Sequence, residues 1–110
     1  MILTELLQYL NEHLDVNVYA EAPKEITDYV LIEQTGSRRS NHIITTTIAI
    51  QSYGESLLDA MILNGEVEMA MNEFVQLSNI TKVELETDYN FTNTTTKQYR
   101  WQAVYNITHY

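Results

Sequence analysis

The sequence predicts an α+β domain, a mostly antiparallel sheet of about five strands with two helices packed against it, in the order helix, three strands, helix, two strands. Three observations predict it. Two segments, 2–14 and 56–75, repeat apolar residues at helical spacing. Four segments, 29–35, 43–53, 82–89 and 99–110, are β-branched or alternate at period two. At 110 residues the chain can bury one core but not two, so 1–110 reads as a single domain.

The first helix carries Ile2, Leu3, Leu6, Leu7, Leu10 and Leu14 on one arc, with Thr4, Glu5, Gln8, Asn11 and Glu12 opposite. DVNVYAE, 15–21, alternates Val16, Val18 and Ala20 against polar neighbours and reads as a strand, with Tyr19 the exception. APKEITD holds the only proline, Pro23, and reads as a connection. YVLIEQT, 29–35, is a well-covered strand that Gly36 ends. IITTTIAIQSY, 43–53, follows as a strong strand. The loop between them, GSRRSNH, makes a long hairpin with Arg38 and Arg39 near its tip.

Ser56 and Asp59 fit a capping box at the start of the second helix, which runs to Phe74 or Val75. QLSNIT is a loop, and KVELETDY, 82–89, alternates Val83, Leu85, Thr87 and Tyr89 against Lys82, Glu84, Glu86 and Asp88. NFTNTTTKQ is polar and turn-like. In the last strand Tyr99, Trp101, Ala103, Tyr105 and Ile107 share one face. The strands 82–89 and 99–110 are expected to pair as an antiparallel hairpin beside the central strands.

The second helix has two apolar sides. Ala60, Leu63, Val67, Ala70, Met71 and Phe74 form the arc expected on the sheet, flanked by Asp59, Glu66 and Glu73. Beyond that acidic stripe lie Leu58, Met61, Ile62 and Met69, with Gly65 among them. A second strip must meet either the first helix of the same chain or another subunit. Gly65 costs a helix roughly 1 kcal/mol relative to alanine, which invites a packing reason.

Six Lys and Arg face fifteen Asp and Glu, a formal net charge of -9, which disfavours duplex binding through a basic face. Two of those six cations are Arg38 and Arg39, side by side in an acidic chain. On a hairpin tip they are either a docking element or a charge pair that keeps the loop solvated. No apolar run approaches the roughly 20 residues that span a bilayer, which argues against a membrane protein. MILTELLQYL has Glu5 and no basic leader, which argues against a secretion signal. The sequons at Asn79, Asn90, Asn93 and Asn106 then reflect composition rather than glycosylation. With no cysteine, disulfides and thiolate metal sites are ruled out.

No residues are assigned to catalysis, to a cofactor or to a metal. His13, His42 and His109 lack a local ligand spacing such as H-x-x-x-H, and a zinc site would have to be assembled from distant parts. With three glycines in the chain, a backbone phosphate cradle is disfavoured. Alternation puts Glu84 and Glu86 on the solvent side. Trp101 and its neighbouring tyrosines read as sheet packing rather than base stacking.

ITTTIAIQSYGESLLDA, preceded by VLIEQTGSRR, resembles the small tail terminator, or tail completion, proteins of long-tailed bacteriophages, a group close to minor capsid and head–tail joining proteins. Their pattern is an N-terminal helix, an apolar strand ending near Thr-Gly, and a loop carrying Arg. A strand ending in Gln-x-aromatic follows, here Gln51-Ser52-Tyr53, then a helix with small core residues, here Ala60 and Ala70. Two features depart from it. Relatives often have a proline before the third strand, where this chain has Thr45 and Thr46, and the TNTTTK tract is unusually polar.

The resemblance implies a non-enzymatic virion protein of the tail or neck, assembled in the host cytoplasm. It implies a homo-oligomer, a hexameric ring that caps the tail tube and presents a surface for head joining. The partners would be the tail tube protein and head–neck proteins, with DNA only as passing cargo and no membrane. Arg38, Arg39, Leu58, Met61, Ile62 and Met69 are then candidate interface residues. Two other classes compete: a small acidic module that occupies a basic site on a host factor, and a small α+β enzyme using His13, His42 or His109.

Overall fold

A computed structural model describes residues 1–24, 28–77 and 79–110. The middle of the predicted connection APKEITD and Ser78 of the predicted QLSNIT loop lie outside the described residues. The order is α1 (Ile2–His13), β1 (Val18–Tyr19), β2 (Tyr29–Ser40), β3 (Ile43–Gly54), α2 (Leu57–Phe74), β4 (Ile80–Asn90) and β5 (Tyr99–His109). The strands form one sheet in the order β1-β2-β3-β5-β4. Only the β1–β2 pair is parallel. This is the α+β fold read from the sequence, with β4 and β5 paired as an antiparallel hairpin against β3.

Burial explains the layering. Val30, Ile32, Ile48, Ile50, Ala103 and Ile107 on one side of the sheet meet Leu6, Leu10, Val67, Met71 and Phe74 of the helices. The helix side therefore holds the core, driven by removal of apolar surface from water. The other face is polar and locked by cross-strand hydrogen bonds. Thr47 Oγ1 donates to Asn106 Oδ1 at 2.7 Å, Gln51 Nε2 to Gln102 Oε1 at 2.7 Å, and Arg100 Nη1 to the Tyr53 hydroxyl at 3.1 Å. Arg100 also lies over the Phe91 ring at 4.4 Å, which ties the predicted polar turn to that face.

Helix α2 begins as the capping chemistry predicts, with Ser56 Oγ accepting the Asp59 N–H at 3.1 Å. Its first turn sits directly on the end of β3. A Cβ on Gly54 would lie 2.7 Å from the Ala60 amide nitrogen, so only glycine lets the helix start this close to the sheet.

Two strand readings are corrected. The strand expected over 15–21 pairs only at Val18–Tyr19. Asn11 fastens this segment to α1: its Oδ1 takes the Val18 N–H at 3.0 Å and its Nδ2 donates to the Val18 carbonyl at 3.2 Å. Gly36 does not end β2. The strand continues to Ser40 through a bulge between Gln34 and Gly36, and the turn is the pair Asn41–His42. Both turn residues have positive φ, 50° and 69°, the left-handed geometry of a two-residue hairpin turn.

Candidate functional site

The helical repeat of α2 separates its side chains into a buried arc and a bare strip. Ala60, Leu63, Val67, Ala70, Met71 and Phe74 are buried, as expected from the sequence. Leu58, Met61, Ile62 and Met69 are 64%, 45%, 55% and 72% exposed. The first helix does not cover them. It meets α2 on the core side, where the Tyr9 hydroxyl donates to the Ala70 carbonyl at 2.7 Å and the Tyr9 and Phe74 rings lie 4.9 Å apart. Burial there raises the Tyr9 pKa, with a further push from the charge of Glu73. Among the described residues the first helix therefore does not account for the second strip. The strip runs from Leu58 to Met69 along α2 and faces solvent.

Met69 also lines an open cleft of about 490 Å³ between the end of α1 and α2, together with Ala70 and the acidic Asp15, Glu66 and Glu73. The surface is thus apolar at its centre and negative at its border. Gly65 lies in the strip, and a Cβ there would meet nothing within 4 Å. Among the described residues there is no packing reason for this glycine. Gly65→Ala should stabilise the isolated monomer by about 0.8–1.0 kcal/mol, read as a higher denaturation midpoint at unchanged m-value.

Arg38 and Arg39 are exposed close to the β2–β3 turn, within β2 rather than in a loop. Arg38 pairs with Thr45 and Arg39 with Ile44, so strand alternation sends them to opposite faces of the sheet. The structure does not bring them near the α2 strip of the same chain as one patch. They are two separate surfaces.

A second cluster was not read from the sequence. Strand β4 shifts register between Leu85 and Thr87, which inverts its alternation. Leu85 pairs with Tyr105 on the helix side, whereas beyond the shift Asp88 pairs with Ala103 on that same side. Thr87 and Tyr89 turn to the polar face, where the Tyr89 hydroxyl accepts from Gln102 Nε2. The expected grouping of Asp88 with Glu84 and Glu86 is corrected accordingly. Asp88 Oδ1 accepts from Asn64 Nδ2 of α2 at 2.9 Å and from Trp101 Nε1. Glu68 joins this group. A hydrogen bond to Asp88 raises its carboxyl pKa to about 7, aided by desolvation and the Asp88 charge and opposed by a hydrogen bond from Asn64.

No protein-family model matches this chain, and no curated protein matches it either.

The histidines are held in separate local roles. His13 stacks on Tyr9 with centroids 4.0 Å apart, its Nδ1 2.8 Å from the Tyr9 carbonyl oxygen. His42 is in the β2–β3 turn, and His109 Nε2 lies 2.9 Å from Thr46 Oγ1 in the core. Among the described residues no three His, Asp or Glu side chains converge on one metal position. Nor, among the described residues, is any helix long and apolar enough to cross a membrane.

Proposed function

We propose that this chain is a structural assembly subunit that works as a ring of identical copies, capping a phage tail tube and joining it to the head. The observation that carries self-association is the exposed strip Leu58, Met61, Ile62 and Met69, an apolar surface that none of the described residues covers. The tail role is supported by the similarity of VLIEQTGSRR and ITTTIAIQSYGESLLDA to tail terminator proteins.

A ring needs a head-to-tail contact in which one patch meets a different patch on the neighbour. Two different patches are available. The strip and its cleft are bordered by Asp15, Glu66 and Glu73, and the exposed Arg38 and Arg39 supply the opposite charge. Docking the arginine-bearing end of β2 against the acidic border of the next α2 satisfies both. With a net charge of -9 the ring would repel passing DNA rather than grip it.

Mass measurement of the pure chain in solution tests the reading, and a closed multiple of 12.8 kDa is expected. A monomer at micromolar concentration would instead favour the acidic binding module. Arg38→Glu with Arg39→Glu should leave the melting temperature nearly unchanged, because exposed charges contribute only about 0–1 kcal/mol each. Ring closure should weaken, most strongly at low salt, where like charges are least screened. Native mass spectrometry across a salt series reads this out. Normal assembly and tube binding by the double variant would reduce the pair to a solvated turn.

A further inference from the structure

We propose that Asn64–Gly65 in α2 is a self-modification site, at which the chain converts its own asparagine to aspartate or isoaspartate when α2 opens, and that the product no longer fastens α2 to β4. Asn64 is the only asparagine in the sequence that a glycine follows. A following glycine has no Cβ to shield its amide nitrogen and gives the backbone its widest freedom. Gly65 is also a residue that packing leaves unexplained, since a Cβ there would meet nothing within 4 Å.

The chemistry needs only water and hydroxide. The backbone nitrogen of Gly65 loses its proton to hydroxide and attacks the side-chain carbonyl carbon of Asn64. A C–N bond forms to that carbon, the bond to Nδ2 breaks, and ammonia leaves with a proton from water, which regenerates hydroxide. The product is a cyclic imide. Water then opens the ring at either carbonyl, giving aspartate, or isoaspartate with the main chain routed through the side-chain carbon. In sum, one water is taken up and one ammonia is released.

The fold withholds both reacting groups. Gly65 lies in the middle of Leu57–Phe74, so its N–H is committed to the helical ladder and is not free to lose a proton. Asn64 is only 5% exposed, and Nδ2, the nitrogen that must leave, donates to Asp88 Oδ1 at 2.9 Å. Conversion therefore runs at the rate of the open chain multiplied by the fraction of time α2 is open.

The same hydrogen bond sets the consequence. It joins α2 to β4, and the other end of the amide, Oδ1, is buried without a partner. Conversion exchanges the N–H donor for a carboxylate oxygen facing the Asp88 carboxylate. Like charges so placed repel, and a buried charge without a counter-ion opposes folding. Isoaspartate also adds a methylene to the main chain, which breaks the regular helical repeat. A chain that has stood open too long is thereby marked, and the mark is one-way.

The test follows the full chain at pH 8, folded in buffer or unfolded in concentrated urea, with Gly65→Ala in the same urea. Samples taken over time are cut after glutamate in mild acid, where the ring does not form. The fragment 56–66 is weighed, because exchange of amide for acid changes its mass and Asn64 is its only asparagine. In urea Asn64 should convert faster than any other asparagine, and Gly65→Ala should slow it by roughly tenfold or more. In the folded chain it should convert more slowly than in urea by roughly tenfold or more. Asn64→Asp, made directly, should melt at least ~4 °C below wild type at pH 8. A folded chain that converts within tenfold of its rate in urea would overturn the proposal, because α2 would not be guarding the site. Faster conversion of another asparagine in urea, a smaller effect of Gly65→Ala, or a smaller drop in the melting temperature of Asn64→Asp would overturn it too.

Discussion

Ile62→Ser combined with Met69→Ser is expected to abolish the proposed ring and leave a folded monomer. Ile62 and Met69 are 55% and 72% exposed, so the fold loses little packing when they are shortened. Surface changes of this kind cost within about 0.5 kcal/mol each. An assembly that buries them as central anchors loses upwards of roughly 1–2 kcal/mol for each, at every contact around the ring. Two anchors together weaken each contact by roughly thirtyfold to a thousandfold. Light scattering on a sizing column, beside thermal melting of the same sample, reads both quantities. An intact ring in the double variant would show that the strip faces something other than a second copy.

Glu68→Gln is expected to raise stability at pH 8 and to have little effect near pH 4. The folded-state pKa of Glu68 is raised from 4.5 to about 7, mainly by its hydrogen bond to Asp88. The native state therefore binds this proton more tightly than the unfolded chain does. Its favourable effect is complete below the unfolded value and is lost as pH rises from about 4.5 to about 7. Above that window the ionised pair opposes folding by on the order of 2 kcal/mol, after allowing for partial exposure to solvent. A glutamine offers an N–H to Asp88 at every pH, so the difference between the two proteins should open through the window and stay constant above it. Urea unfolding at a series of pH values checks this, and the other carboxylates cancel in the comparison. A constant difference from pH 4 to pH 8 would show that the Glu68–Asp88 contact does not hold the proton.

The elements that were legible in the sequence are those whose burial is one-sided and periodic. Leu6 and Leu10, the arc from Ala60 to Phe74, and Ala103, Tyr105 and Ile107 all lie where their spacing places them. Local chemistry misled at the turn. Gly36, Ser37 and Ser40 are turn formers, yet pairing of Ser37, Arg38 and Arg39 with Thr46, Thr45 and Ile44 keeps them in β2. The true turn falls on Asn41 and His42, which tolerate left-handed backbone. The apolar strip of α2 was readable as a surplus, but only coordinates show that α1 leaves it bare. The acidic cluster was not legible at all. One extra residue in β4 reverses the facing of Asp88, and nothing in KVELETDY marks where a strand stops matching its partner one for one.

The sheet ends on two bare margins. Among the described residues β1 covers only Val30 and Leu31 of β2, so the outer side of Ile32–Ser40 has no partner strand, and β4 forms the opposite margin. Unpaired backbone of this kind is a template on which another chain can grow as an added strand, the first step toward fibres. Each margin carries its own deterrent. The bulge and Glu33, Arg38 and Arg39 roughen one, and two bulges with Lys82, Glu84, Glu86 and Asp88 roughen the other. Copies of this chain are thereby discouraged from extending one another's sheets without limit, and a finite assembly has to be made through side chains instead.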